Sequence, residues 1–202
     1  MDSRLVHFTT NCRLGRAGLT LPEVLIGLGL VGIVAVLVAS VMFAHFRLFT
    51  NQSTTIDISS QNKIALAEIA NQIRQSQAIA TTCANNRCPQ DTTGSSVVVL
   101  QLWALDAESE PQASAYDYIV LRQDPQDNTK LIRKIYPDTT SLRQTGTQVI
   151  AIQLSPTGLQ FAYDNADVTQ ASEVTATVTT TAYSGTKTHT ITQSSTVILR
   201  NK

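Results

Sequence analysis

The fold is decided first by residues 24–46, which read VLIGLGLVGIVAVLVASVMFAHF. The run contains no Asp, Glu, Lys or Arg, and its polar side chains are Ser40 and His45. About 20 apolar residues, at roughly 1.5 Å rise each, are enough for a helix to cross the hydrocarbon core of a bilayer. A chain of 202 residues offers little room to bury a helix that is apolar on all sides. The run therefore predicts a membrane-spanning helix, and a buried helix of a soluble domain is the alternative.

The flanking charges predict the orientation of this helix. Arg4, Arg13 and Arg16 precede the run, and Asp2 is the acidic residue among them. Because Lys and Arg are enriched on the cytoplasmic side of membrane proteins, we expect a single-pass protein of the cytoplasmic (inner) membrane. Its N-terminus would be cytoplasmic and its C-terminal domain extracytoplasmic. A cleavable secretory signal peptide is the rival interpretation, but its apolar core usually has about 7–15 residues.

Composition limits the choice of partners. The 202 residues include 15 basic and 15 acidic side chains, so the formal net charge is zero. Binding of nucleic acid over a whole surface requires excess positive charge, so no nucleic-acid partner is expected. A local basic patch such as Arg133 and Lys134 gives a DNA-uptake role only slight support. The length allows one compact domain plus an appendage.

Three glycines in the apolar run match a dinucleotide-binding pattern. Gly27, Gly29 and Gly32 have the G-x-G-x-x-G spacing, but that fingerprint needs a strand before it and an acidic residue about 20 positions later. No acidic residue occurs between Gly32 and Asp57. We therefore interpret the glycines as positions where a neighbouring membrane helix can approach closely.

The rest of the chain predicts a continuation of the helix followed by antiparallel strands. Leu66, Ile69 and Ile73 recur at helical spacing, whereas the Ser- and Thr-rich residues 50–60 predict a local break. Beyond about Thr81, β-branched and aromatic runs alternate with turn residues. We expect strands within residues 95–105, 116–122, 130–136, 148–154, 158–164, 173–182 and 187–200. The predicted fold class is α+β, with a long N-terminal helix packed on a C-terminal antiparallel β-sheet.

Glu23 is an ionisable residue at the edge of the apolar run. A charge in this position is costly unless it is partnered, and is by default a candidate for function. The helix dipole would stabilise it by only about 0.3–1 kcal/mol. Cleavage after Gly18 would create a new α-amino group on Leu19, four residues before Glu23, and such an amine could balance the carboxylate.

The residues from Gly18 onward, GLTLPEVLIGLGLVGIVAVLVA, resemble the N-terminus of type IV pilins and type II secretion pseudopilins. The resemblance implies cleavage between Gly18 and Leu19 by a prepilin peptidase/N-methyltransferase and N-methylation of Leu19, where the family more often has phenylalanine. It implies that the Glu23 carboxylate registers each subunit against the N-terminal amine of its neighbour. The chain is then divided into a leader (1–18), a transmembrane and assembly half-helix (19–49), an exported half-helix (50–80) and a β-sheet domain (81–202).

The cysteines predict one disulfide. Cys12 belongs to the leader or the reducing cytoplasm, which leaves Cys83 and Cys88 on the far side of the membrane, where disulfides are permitted. We expect these two to pair and to fix the turn between helix and sheet. A zinc half-site is the alternative, but zinc requires two further ligands, and His189 is a distant candidate for one of them.

The functional expectation is a structural subunit rather than an enzyme. His7, His45 and His189 have no catalytic partner at motif spacing, and no catalytic residues, cofactor or metal are predicted. The resemblance implies a minor pilin or pseudopilin whose partners are other pilin or pseudopilin subunits, the inner-membrane assembly platform and the lipid bilayer. The alternative is a membrane-anchored extracytoplasmic adhesion or ligand-binding module that is not assembled into a filament.

Overall fold

The computed structural model describes residues 18, 20–185 and 187–200. The chain divides into two compact units at the boundary between Leu48 and Phe49. The described part of the first unit is helical from Leu21, and the second unit contains the end of the same helix and all the described strands. The fold class is therefore α+β, as predicted.

Helix α1 extends over Leu21–Gln75 without interruption. The predicted break within residues 50–60 is absent, because the Thr54 and Thr55 hydroxyls donate to the carbonyls of Thr50 and Asn51, each at 2.9 Å. Because both hydroxyls are hydrogen-bonded within the helix, the threonine side chains do not compete for the backbone N–H groups that form the helical hydrogen bonds. The helix ends five residues before the predicted boundary at residue 80. There the Ser76 hydroxyl donates to the Ile73 carbonyl at 2.7 Å, and the next residues form a strand.

Within the described residues, eight strands form two antiparallel sheets where one sheet was predicted. The first sheet has the order β1-β2-β3-β4-β5 and the second the order β6-β7-β8. The bounds are β1 Ala78–Ala80, β2 Val97–Leu105, β3 Pro111–Gln123, β4 Leu131–Tyr136, β5 Gly146–Ala151, β6 Leu154–Tyr163, β7 Glu173–Ser184 and β8 Lys187–Ile198. The predicted run 148–154 spans the change of sheet, because Gln153 has a left-handed φ of 65° that ends β5 and redirects the chain. The other six runs are confirmed as strands, and β1 was not predicted.

The main core lies between the C-terminal part of α1 and both sheets. The predicted helical face is confirmed, since Leu66, Ile69 and Ile73 are all buried. Alternate residues of the strands complete this core, chiefly Val98, Leu100, Leu102, Ile119, Leu121, Leu159, Phe161, Val174, Ala176 and Val178. Because side chains alternate across a strand, the intervening residues of β2 and β3 face the opposite side of the first sheet.

Asn62 fastens α1 to the second sheet through polar contacts inside this core. Its side chain is fully buried, and Nδ2 donates to the Val178 carbonyl at 2.9 Å and the Ile191 carbonyl at 3.0 Å. The Thr180 hydroxyl donates to the Ile58 carbonyl at 3.0 Å. Buried polar groups are tolerated when hydrogen-bonded, so these contacts fix the position of the helix on β7 and β8.

A disulfide-closed segment covers the opposite side of the first sheet. Cys83 and Cys88 form a disulfide with Cα atoms 5.5 Å apart, and both residues pack in a second apolar cluster with Val99, Tyr118 and Val120. Both faces of β2 are thus buried, which explains the continuous apolar run Val97–Leu100 in place of strict alternation.

The exposed face of the second sheet carries paired hydroxyl groups. The alternating threonines of β7 lie opposite threonines or a serine of β8 and hydrogen-bond to them across the strands. The pairs are Thr175–Thr196, Thr177–Ser194 and Thr179–Thr192 at 2.9 Å and Thr181–Thr190 at 3.3 Å. Such pairs each stabilise an antiparallel ladder by roughly 0.2–1 kcal/mol.

Candidate membrane and assembly surface

The start of α1 places Glu23 in the first helical turn. The Thr20 carbonyl accepts from the Glu23 amide at 3.0 Å and from the Val24 amide at 3.2 Å. Pro22 fits here because the first turn has no use for its missing N–H, and the Glu23 carboxylate is favourable beside the positive end of the helix dipole. Gly18 is exposed and precedes the helix, with nothing within 4 Å of the position a Cβ would occupy. Leu19 and residues 1–17 lie outside the described residues.

The helix after Glu23 presents an apolar surface on all sides. The large apolar side chains of the described segment 21–49 are between 45% and 75% exposed. They are Leu21, Val24, Leu25, Ile26, Leu28, Leu30, Val31, Ile33, Val34, Val36, Leu37, Val38, Val41, Met42, Phe43, Phe46, Leu48 and Phe49. Within the described residues this helix is long and apolar enough to cross a membrane. An exposed apolar surface of this extent marks a site of contact with lipid or with other proteins.

The three glycines lie inside this helix. A Cβ atom built on Gly27, Gly29 or Gly32 would meet nothing within 4 Å, so each position is open to an approaching neighbour. A dinucleotide-binding turn requires a strand-to-helix junction at the first glycine. The helix already begins at Leu21, and the structure therefore excludes that reading of the pattern.

A buried carboxylate, Asp91, follows the disulfide-closed segment Cys83–Cys88 and attaches it to the first sheet. Asp91 is 3% exposed, and its two oxygens accept from the Arg122 guanidinium and from the Tyr136 hydroxyl, the latter at 2.8 Å. Burial, together with the neighbouring Asp91, raises the pKa of Tyr136 above its ordinary value. Both oxygens of Asp91 are engaged in contacts within the domain, so the group is structural.

Arg87 attaches the same segment at a second point. Its guanidinium lies 5.0 Å from the centre of the Tyr118 ring, donates to the Tyr116 carbonyl at 3.0 Å and pairs with Asp138 at 3.3 Å. The pKa of the Asp138 carboxyl is lowered, first by hydrogen bonds from Thr140 and then by the charge of Arg87. The loop between the cysteines is therefore anchored to β3 and to the chain that follows β4.

A second buried carboxylate, Asp117, organises the loop after β4. It is fully buried and accepts from the Asp138 amide at 2.7 Å, the Ser141 hydroxyl at 2.7 Å and the Arg143 guanidinium at 2.6 Å. The roles of Asp91 and Asp117 were not predicted from the sequence. Neither belongs to a motif, and the Asp117 partners lie more than 20 residues away along the chain.

The local basic patch is partly neutralised. Arg133 pairs with Glu68 of α1 at 2.8 Å and donates to Gln148 at 2.6 Å, and the Lys134 ammonium lies 4.7 Å from the centre of the Tyr136 ring. Arg133 thus connects β4 to the helix and to β5, and its charge is balanced within the domain.

The described part of the chain holds no group of three or more His, Cys, Asp or Glu side chains that could bind a metal ion. The two cysteines of the alternative zinc half-site are joined to each other. Its distant candidate, His189, has Nδ1 at 3.4 Å from the Thr55 hydroxyl of α1. His189 therefore lies on the side of β8 that faces α1.

Comparison of the chain with models of protein families, with curated proteins and with solved structures finds no match.

Proposed function

We propose that the chain is a structural subunit, a minor pilin or pseudopilin, of a type IV pilus or a type II secretion-like filament. The observation that carries the proposal is the combination at the start of α1. An exposed glycine precedes the helix, a glutamate occupies its first turn, and an uninterrupted apolar surface follows.

The physical role of each part follows from the energetics of charges and apolar groups. The apolar half-helix is stored in the bilayer before assembly and packs against other apolar half-helices afterwards, so it stays out of water in both states. The Glu23 carboxylate is expensive in an apolar bundle unless it meets a positive charge. The α-amino group of Leu19 in a neighbouring subunit supplies that charge only after the leader has been removed.

The disulfide-braced β-domain supports an extracytoplasmic location for the C-terminal part. Two buried, paired cysteines are typical of oxidising compartments. In this proposal the prepilin peptidase/N-methyltransferase cuts and methylates at Leu19, and the assembly platform of the inner membrane receives the mature subunit.

The deciding experiment is mass spectrometry of the mature N-terminus in cells with and without the prepilin peptidase. The expected N-terminus is Leu19 when the enzyme is present and the uncleaved leader when it is absent. Gly18→Val should block processing, whereas Gly15→Val in the same leader serves as the matched control and should be processed. An uncleaved chain in both strains would instead favour the membrane-anchored adhesion or ligand-binding module.

A further inference from the structure

In the part of the chain that the structure describes, the two sheets have four edge strands, and three of them are protected against pairing with another chain. β1 has only three residues. β5 has six residues, and its pairing with β4 contains a register shift. Just beyond β5, the Ile152 amide donates to the Gln61 side chain of α1 at 3.2 Å. β6 contains Pro156 and an irregular register with β7, and its Phe161 amide donates to the Ser95 carbonyl at 2.7 Å. Short length, bulges, proline and covering segments are the usual protections of a sheet edge.

Among the described residues, β8 has none of these protections. It is 12 residues long, pairs with β7 without a register shift and contains no proline or glycine. Between Thr188 and Ile198 it has no Asp, Glu, Lys or Arg. A long, regular and uncharged edge of this kind is a template for an additional strand.

A groove lies along this edge between β8 and α1. Its volume is about 470 Å³, and its walls include Ile56, Ser60, Lys63 and Ile64 of the helix. Among the described residues, Ile191 of β8 supplies the sheet side of the groove, and β7 supplies nothing to it. The groove therefore opens on the side of β8 that faces away from β7.

The side chains at the groove are incompletely covered. Ile56 is 67% exposed and Ile64 is 48% exposed, and Ile191 is only half-buried. By contrast, the helix-facing residues of β7, such as Val174 and Val178, are fully buried. The layer of strands beneath α1 thus stops one strand short of covering the apolar residues of the helix.

We propose that β8 and this groove bind an extended segment of a partner protein as an additional antiparallel strand. Its backbone would pair with the open edge of β8, and alternate apolar side chains would enter the groove against Ile56, Ile64 and Ile191. The side chains on the other face of the partner segment would be small and hydroxylated, and would continue the exposed face of the second sheet. Lys63 is the charged residue of the groove, so a carboxylate on the segment meets it. This site lies wholly in the second unit and does not rest on the filament proposal.

The probe is a fluorescent peptide with the sequence of residues 173–184, EVTATVTTTAYS. This sequence already pairs antiparallel with β8 along its other edge and alternates small apolar residues with threonine. Binding to the full chain in detergent micelles is measured by fluorescence anisotropy, against a peptide of the same composition whose alternation is scrambled. Hydrogen exchange of the complex locates the protected amides.

The expected result is binding of the alternating peptide with new protection on β8 while the amides of β7 remain protected. Ile64→Lys should weaken binding by about tenfold or more, because it removes an apolar wall and adds a charge. Asn71→Lys, at an exposed position farther along α1, is the matched control and should bind like the unchanged chain. Equal binding of the scrambled peptide, unchanged binding by Ile64→Lys or loss of β7 protection overturns the proposal. So does a second copy of the chain on this edge, seen as a dimer that Ile64→Lys dissociates.

Discussion

Replacing Asn62 by alanine tests whether the buried amide fastens α1 to the second sheet. The side chain is fully buried and donates to the carbonyls of Val178 and Ile191 on two different strands. In the alanine variant both carbonyls lose this donor but keep their places in the ladder between β7 and β8, and the buried Oδ1, which has no hydrogen-bond partner among the described residues, is removed with the amide. The variant should therefore be destabilised without any change in the surface of the domain.

The magnitude follows from the net contribution of each lost hydrogen bond, roughly 0.5–1.5 kcal/mol. Two hydrogen bonds give an expected loss of about 1–3 kcal/mol in the free energy of unfolding, before the higher helix propensity of alanine is allowed for. Asn71→Ala is the matched control, because it makes the same substitution on the same helix at an exposed position. Its propensity gain is the same, and a surface substitution should stay within about 0.5 kcal/mol of the unchanged chain.

Urea unfolding followed by tryptophan fluorescence is a suitable assay, because Trp103 is the single tryptophan of the chain and lies in β2. With a slope of about 2 kcal/mol per M, the Asn62→Ala midpoint should fall by about 0.5–1.5 M relative to Asn71→Ala. Equal midpoints for the two variants would show that the amide contributes nothing, and the reasoning from buried hydrogen bonds would be refuted.

The remaining predictions concern four other sites. Cys83→Ser should destabilise the domain by up to about 3 kcal/mol, since the disulfide closes a short loop, and protease sensitivity should rise in the segment between β1 and β2; an unchanged cleavage pattern would contradict this. Asp117→Asn should cost about 2 kcal/mol or more because the Arg143 charge loses its buried partner, whereas Asp57→Asn at an exposed position of α1 should have little effect in the same urea assay. Hydrogen bonds from Thr129 and Lys130 lower the pKa of the Asp127 carboxyl to about 2. The contribution of Asp127 to stability should therefore be constant above about pH 4 and disappear as the pH falls through about 2. An NMR titration of this carboxyl with a midpoint near 4 would contradict the prediction. Glu23→Ala should abolish assembly while leaving cleavage after Gly18 intact, and filaments of normal yield from the variant would remove its proposed role.

Much of the fold was accessible from the sequence because the signals are local. The apolar run, the helical spacing of Leu66, Ile69 and Ile73 and the alternation of the strands each depend on neighbouring residues. The break predicted within residues 50–60 was wrong because the threonines there bond back to their own helix. Propensity alone does not distinguish that arrangement from a turn.

The division into two sheets and the covering of the first sheet depend on contacts between distant residues. Nothing near Gln153 marks the change of sheet, which depends on a single left-handed residue. The roles of Asp91 and Asp117 require partners brought together by folding, such as Arg122 and Arg143. At the candidate assembly surface, Gly18 and Glu23 were identified from the sequence, and the structure adds the exposure of the helix that follows them.

The hydroxyl pairs on the outer face of β7 and β8 make this face insensitive to the pH and the salt concentration of the surrounding solution. These pairs contain no ionisable group, so their strength is independent of proton concentration and of the Debye screening that weakens exposed ion pairs. The hairpin should keep its cross-strand contacts equally well in fresh water, brine or mild acid. A face built in this way would suit a protein whose surroundings are not controlled by the cell.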